Sequence, residues 1–417
     1  DGDSNAGGKR TFKGEDCYRQ HGSGPSIHRV CLSCEAVAAH QEAWALLGDR
    51  PIESLTDLPL MTDPDSKVVM SALASLFPKA FVTDNHLLII NVSRMVPLSL
   101  RHGFTDAAVQ GYGWFGVMTG MFFKRYQEGY AFCILARTFV EKYKLSAFSA
   151  SALLSLRGFS YWTQPFSAVQ ELVVSGYQQG LQSGDFYVAS YCASLSVANL
   201  LSMGHDLEDV YQESLDRGEF ISKAGIVDPK DRLLLFQAFV QQLRGHPLAF
   251  GTLSWDCFDE RAFEAQMTPR RMSGTRAWYW VIKPQSRFMC GAFEEALEAG
   301  ARAAELTWSM IGSPNLIELH FYRALTLAAC FERAEPEQQR RFLEDIQRHQ
   351  HQLAEWAEQC PANFPARGRM VAGEWARITG RSEEATRAYE DAIQAARDTG
   401  ATQVVGVASG LAANIWP

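Results

Sequence analysis

The chain has 417 residues, 47% of them hydrophobic and 21% charged, which allows two or three globular domains or one long repeat array and excludes a disordered chain. Its 32 glycines and 16 prolines are near average, so it is neither collagen-like nor dominated by linkers. With 39 basic against 47 acidic residues the net charge is −8, so nucleic acid and anionic membranes are not expected partners.

Residues 1–30 carry no apolar period and read as a mobile N-terminal arm, without the apolar core of a signal peptide. The stretch DSNAGGKRT only resembles a phosphate loop: Lys9 is followed by Arg10, and Asp3 stands where the motif needs its first glycine. Cys31 and Cys34 have a zinc-compatible spacing, but their companions Cys17, His21, His28 and His40 are irregularly placed. They read as unliganded thiols in a loop and a helix start, and no metal or cofactor is expected. The nine cysteines are an odd number, and several sit in apolar helical contexts, such as Cys133 and Cys192. This is the usage of a reducing compartment, and a cytoplasmic protein is expected.

Residues 31–417 read as one helical-repeat domain, because nearly every apolar segment has helical spacing. The run Leu87–Ile90 continues into helical spacing through Val92, Met95 and Val96, so it is not a strand. Ala107–Phe123, seventeen uncharged residues with four glycines, is short for a membrane span and predicts a packed helix hairpin. Ser382–Gly400 places Ala385, Ala388, Tyr389, Ala392 and Ile393 on one stripe before a glycine stop. Gly48, Gly103, Gly180, Gly204, Gly291, Gly380 and Gly400 fall where helices should end. Asp49–Asp65 and Gly245–Asp259 read as irregular connections that bend the array.

A repeat runs through these helices. Gly380 followed by Ala385, Tyr389 and Ala392 is matched by Gly291 followed by Ala296, Gly300 and Ala303, and by Gly129, Cys133 and Ala136. Weaker copies start at Val169 and Val210, and Trp44 to Gly48 has the form of a repeat opening. First places at 129, 169, 210, 296 and 385 give steps of 40, 41, 86 and 89, the last two about twice one helix pair with its turns. The predicted fold is all-α: a tetratricopeptide-like right-handed superhelix of about nine antiparallel helix pairs.

No catalytic constellation stands out. His349 and His351 lie two apart on a helix, point in different directions, and read as a solvated face. Glu294-Glu295 and Glu383-Glu384 open second helices, where negative charge favours the helix N-terminus. Three aromatic clusters, GYGWFG, SYWTQPF and AWYWV, supply the candidate groove residues Tyr112, Trp114, Trp162, Trp278 and Trp280.

Five stretches carry a family resemblance: ALLGDRPIESLTDLPLMTDPD, SLRHGFTDAAVQGYGWFG, FFKRYQEGYAF, ELHFYRALTLAACF, and Cys360 to Ala396 with its CPANF linker. In these the chain resembles the helical-repeat region of large bacterial signalling proteins. Those proteins join kinase-like and ATPase domains to tetratricopeptide-like repeats, often with GAF and histidine-kinase domains. It is more distantly similar to the superhelical effector domains of ATPase-type transcription activators. No kinase motif, phosphate loop or histidine-kinase segment is present in the sequence. The resemblance therefore implies a non-catalytic sensing or scaffolding module that binds a protein segment or small effector on its concave face. Two other classes stay open: an enzyme with a pocket between repeats, and a passive oligomerisation scaffold in which Trp278 and Trp280 set the assembly state.

Overall fold

The computed structural model describes residues 32–246 and 251–413. Among the described residues lie eighteen α-helices and no strand, with only two isolated bridges, Leu60 to Phe104 and Trp255 to Phe258. The fold is all-α. In chain order the helices are α1 (Cys34–Leu47), α2 (Pro64–Thr83), α3 (Asn85–His102), α4 (Ala108–Phe123), α5 (Tyr126–Tyr143) and α6 (Ser146–Ser160). They continue with α7 (Phe166–Ser183), α8 (Phe186–Met203), α9 (Leu207–Ala224), α10 (Val227–Leu243), α11 (Glu260–Ala265) and α12 (Ser273–Met289). The last six are α13 (Phe293–Ala304), α14 (Asn315–Cys330), α15 (Pro336–Gln359), α16 (Pro365–Ile378), α17 (Ser382–Asp398) and α18 (Thr402–Ala413).

The packing alternates with helix number. From α2 to α18 each even helix touches the next even helix, and each odd helix from α3 to α17, the six-residue α11 excepted, packs between two even ones. The described residues thus form eight helix pairs, one fewer than expected, with α18 unpaired at one end and α1 laid on α3. The repeat positions Gly129, Val169, Val210, Ala296 and Ala385 are all buried, one each on α5, α7, α9, α13 and α17. The two long steps pass over α11, shortened by irregular chain, and α15, which buries Phe342, Ile346, His349, Leu353 and Trp356 instead of small residues.

Small residues set the tightest approach. In α4, Gly116 faces Gly129 of α5 so closely that a methyl on Gly129 would lie 2.7 Å from the Gly116 carbonyl oxygen. A methyl on Gly120 would overlap the Phe159 ring. Ala107–Phe123 is therefore the hairpin helix that the sequence predicts. One described helix, α8, is long and apolar enough to cross a membrane, and 61% of it is buried inside the array. Gly180 does not end a helix: it lies inside α7 against Ala189, and Gly184, at φ +75°, makes the turn. Trp44 does not open a regular pair either. It sits at the end of α1 under the Arg125 guanidinium, 3.4 Å from its ring centre. Asp49–Asp65 is an ordered strap, tied by Lys142 to the Thr56 carbonyl and by Met61 N–H to the Phe104 carbonyl.

The array curls until distant pairs meet. Asn363, after α15, donates to the carbonyls of Tyr161 and Gln164 at 2.9 and 2.8 Å and accepts from Phe166 N–H at 3.1 Å. Glu355 of α15 takes Lys124 at 2.5 Å and the Tyr126 hydroxyl at 2.8 Å. Arg157 of α6 donates to the Gly312 carbonyl, and Asn85 donates to that of Trp308. The even helices α4, α10 and α14 have most of their residues buried, whereas α2 and α18 at the ends bury few.

Two corrections concern histidines. His349 is not on a solvated face: it is buried, with Nδ1 3.3 Å from Nδ1 of His320, while His351 is exposed as expected. His40 is buried against the Phe123 ring and accepts from Trp44 Nε1 at 3.1 Å. Cys34 is the exposed first residue of α1, whereas the arm 1–30 with Cys17, His21 and His28, and Cys31 after it, lie outside the described residues.

Two measurements follow from this packing. Gly120→Ala should lower stability by roughly 1–3 kcal/mol in chemical denaturation, since Phe159 must leave its place. Burial, helped by the Arg125 charge, lowers the His40 pKa to about 4. The unfolded ring takes a proton near pH 6.5, so this group's contribution is complete above pH 6.5 and is lost as pH falls towards 4. Urea unfolding at pH 7 and pH 5 should therefore show a smaller loss for His40→Gln than for the wild type.

Candidate functional site

One cavity of about 910 Å³ remains where the even helices converge on α18. Each element offers it one helical face: Ala198, Leu201 and Ser202 from α8, and Phe236, Phe239 and Leu243 from α10. From α12 come Trp278, Ile282, Gln285, Phe288 and Met289, and from α14 the i, i+4 pair Glu318 and Tyr322. The fifth wall is α18, with Gln403, Gly406, Val407, Gly410 and Leu411 at helical spacing. The opposite stripe of α18, Val404, Ala408 and Ala412, is buried.

A backbone contact holds α18 in place. Gln403 Nε2 donates to the Ser202 carbonyl at 2.8 Å. Gly204, at φ +80°, lies so close that a methyl there would stand 2.7 Å from Thr402 N. Only glycine serves a left-handed turn with that clearance. The rim residues His205 and Asp206 are exposed, whereas the back wall is buried: Phe236, Phe239, Trp278, Gln285, Phe288 and Tyr322 are all under 9% exposed.

The polar groups of the back wall decide what it can do. The Gln285 side-chain amide, the Tyr322 hydroxyl and Trp278 Nε1 make no hydrogen bond to any described residue. These atoms are left open to the cavity, where a ligand group can bond them. Burial pushes the Tyr322 phenol well above its usual range, and the Glu318 charge adds to this, so the group stays a neutral donor and acceptor. Glu318 Oε1 is held at 2.8 Å by Arg367, itself 3% exposed and behind the wall. No Lys or Arg side chain lines the cavity among the described residues.

Of the five aromatic residues singled out in the sequence, the structure brings Trp278 to this wall. Tyr112 is core, stacked on Phe139 at 5.5 Å, and Trp114 packs on Phe77 and Phe81. Trp162 is fully buried against Trp356 at the place where the array meets itself. Trp280 turns the other way, into a second cavity of about 1120 Å³ beside α11. Sequence reasoning missed Gln285, Tyr322, Gly406 and Gly410. The available signal was a pair of glycines four apart inside an otherwise helical pattern.

The second cavity exists because α11 is too short to cover α12. Several of its charges pair with one another: Arg287 binds Glu260 at 2.7 Å and Glu295 at 2.9 Å, and Glu264 takes Lys283 at 2.5 Å. Glu260 also accepts from Leu253 N–H and the Thr252 hydroxyl, each at 2.9 Å. This network anchors the irregular chain over α12. No group of three or more His, Cys, Asp or Glu suited to a metal ion occurs among the described residues. Compared with known protein-family models and with curated proteins, the chain matches none.

Arg287→Met should cost about 3–5 kcal/mol, because Glu260 is left charged and buried. Pairing it with Glu260→Gln should recover part of that loss. A double-mutant cycle by urea denaturation measures both.

Proposed function

We propose that this chain is a non-catalytic binding module, a tetratricopeptide-like right-handed superhelix that takes a small effector in the cavity between its even helices and α18. The reading as a sensing part of a signalling protein rests on the family resemblance of the five stretches. The binding reading rests on one observation about Gly406 and Gly410. Each lies within a helix, where glycine costs about 1 kcal/mol relative to alanine. Gly111, Gly113, Gly116, Gly120 and Gly129 each have a neighbour that a methyl would meet within 3 Å, and Gly300 and Gly368 have neighbours at 3.8 and 3.9 Å, but a methyl at Gly406 or Gly410 would meet nothing within 4 Å. No packing contact accounts for these two glycines, which are exposed and border the cavity.

The cavity has the features of a small-molecule site. It is concave, within the range of roughly 300–1000 Å³ usual for such sites, and mostly apolar with a few buried polar groups. The lining includes His205 but no Cys, and no nucleophile with an adjacent base, which favours binding over catalysis. A passive assembly role for Trp278 and Trp280 gains nothing from their placement, since both are at most 6% exposed.

The test uses N-phenyl-1-naphthylamine, a neutral apolar fluorophore small enough for the cavity. The wild type should bind it in a saturable one-to-one manner with micromolar affinity. Gly410→Ala should bind the probe too and raise stability by up to about 1 kcal/mol. Gly410→Phe, which fills the space, should fold and lose the probe. Equal binding by wild type and Gly410→Phe, or no binding by either wild type or Gly410→Ala, would overturn the reading.

A further inference from the structure

We infer that the inner cavity takes an uncharged amphiphile, an apolar body bearing one hydroxyl, amide or carbonyl head group read by Gln285, Tyr322 and Trp278, and that it rejects anions. This rests on the binding reading above and assigns its ligand class.

The apolar body follows from the wall. Leu201, Leu207, Phe236, Phe239, Leu243 and Ile282 offer only hydrocarbon and ring faces. Burying such surface contributes about 25 cal/mol per Å², which favours an apolar ligand of matching size. The head group follows from the unpartnered polar atoms. Trp278 and Gln285 are seven residues apart on one face of α12, and Phe288, three further on, packs at 5.9 Å against the Tyr322 ring of α14. The Gln285 amide both donates and accepts, as does the Tyr322 hydroxyl, while Trp278 Nε1 only donates. Each can bond a hydroxyl, amide or carbonyl that reaches it in the cavity they line, and a ligand without such a group would leave all three unpaired.

The charge pattern excludes the alternatives. A carboxylate or phosphate entering the cavity would lose its hydration and meet Glu318, with no cation on the wall to replace the water. The Arg367 guanidinium behind Glu318 is already committed to that carboxylate at 2.8 Å. That same pairing leaves no unneutralised carboxylate on the back wall to hold a cation. Asp206 lies at the exposed rim, where it accepts from Glu208 N–H and caps α9.

A matched series with one hydrocarbon body tests the assignment: decanamide, 1-decanol, decanoate and decylammonium, each displacing N-phenyl-1-naphthylamine at pH 7. The amide and alcohol should compete at least about 10-fold more strongly than either ion. Gln285→Leu and Tyr322→Phe should each weaken the amide by about 10-fold more than they weaken the probe, since one hydrogen bond to the amide is lost and the apolar wall is kept. Neither substitution should lower the melting temperature, because Tyr322→Phe keeps the ring packing on Phe288 and neither change removes a hydrogen bond within the fold. If the probe binds but decanoate or decylammonium competes as well as the amide, or if both variants retain full amide affinity, the ligand class is wrong while the binding reading stands. Failure of the probe itself is failure of the binding reading.

Discussion

The rest of this structure depends on the return of its later helix pairs onto its earlier ones. Asn363 is the plainest case. One side chain bridges the carbonyls of Tyr161 and Gln164 and the N–H of Phe166, about 200 residues away in sequence. Because α15 and the connection after it come back to the start of α5, the end of α6 and the start of α7, the central even helices are covered on both sides. A helix covered on both sides must be apolar nearly all round. This explains why α4, α8 and α14 show so little amphipathic pattern and why α8 is apolar enough to resemble a membrane span.

The same return decides where open space can remain. Around Tyr112, Trp114 and Trp162 the wrapped chain fills the interior, and these rings pack on one another. At the other end α18 has no odd partner to follow it in the described chain, and it buries Val404, Ala408 and Ala412 while Gly406 and Gly410 border the cavity. Gly406 and Gly410 carry no side chain that could narrow the cavity there. The two kinds of glycine in this protein thus have opposite meanings. Gly116, Gly120 and Gly129 are small because something touches them; Gly406 and Gly410 are small with nothing there. The unpaired amide of Gln285 and hydroxyl of Tyr322 stand across that space, so the cavity is both unfilled and polar at its back.

Much of the architecture is legible in the chain. The stripe of Ala385, Tyr389 and Ala392, the spacing of first places on the odd helices, and the acidic first turns at Glu294 and Glu383 are local matters, set by helical periodicity and capping. Errors came where local signals have two meanings. Gly180 looks like a stop and is a packing contact, because a glycine allows a left-handed turn and a close approach equally well. His349 looks solvated beside His351, because a step of two on a helix shows only that the two differ in exposure. It does not show which one is inside.

By itself, then, the sequence determined the helices, their pairing and the repeat, since each is fixed by residues within about one repeat of one another. Only the tertiary structure decided which aromatic residues are core and which border a cavity, because that depends on contacts between α6 and α15 or between α8 and α18. Nothing in local spacing encodes such a meeting: Trp162 and Trp278 sit in similar aromatic clusters, and only the curl of the array buries one against Trp356 and leaves the other facing Gly410 across an open space.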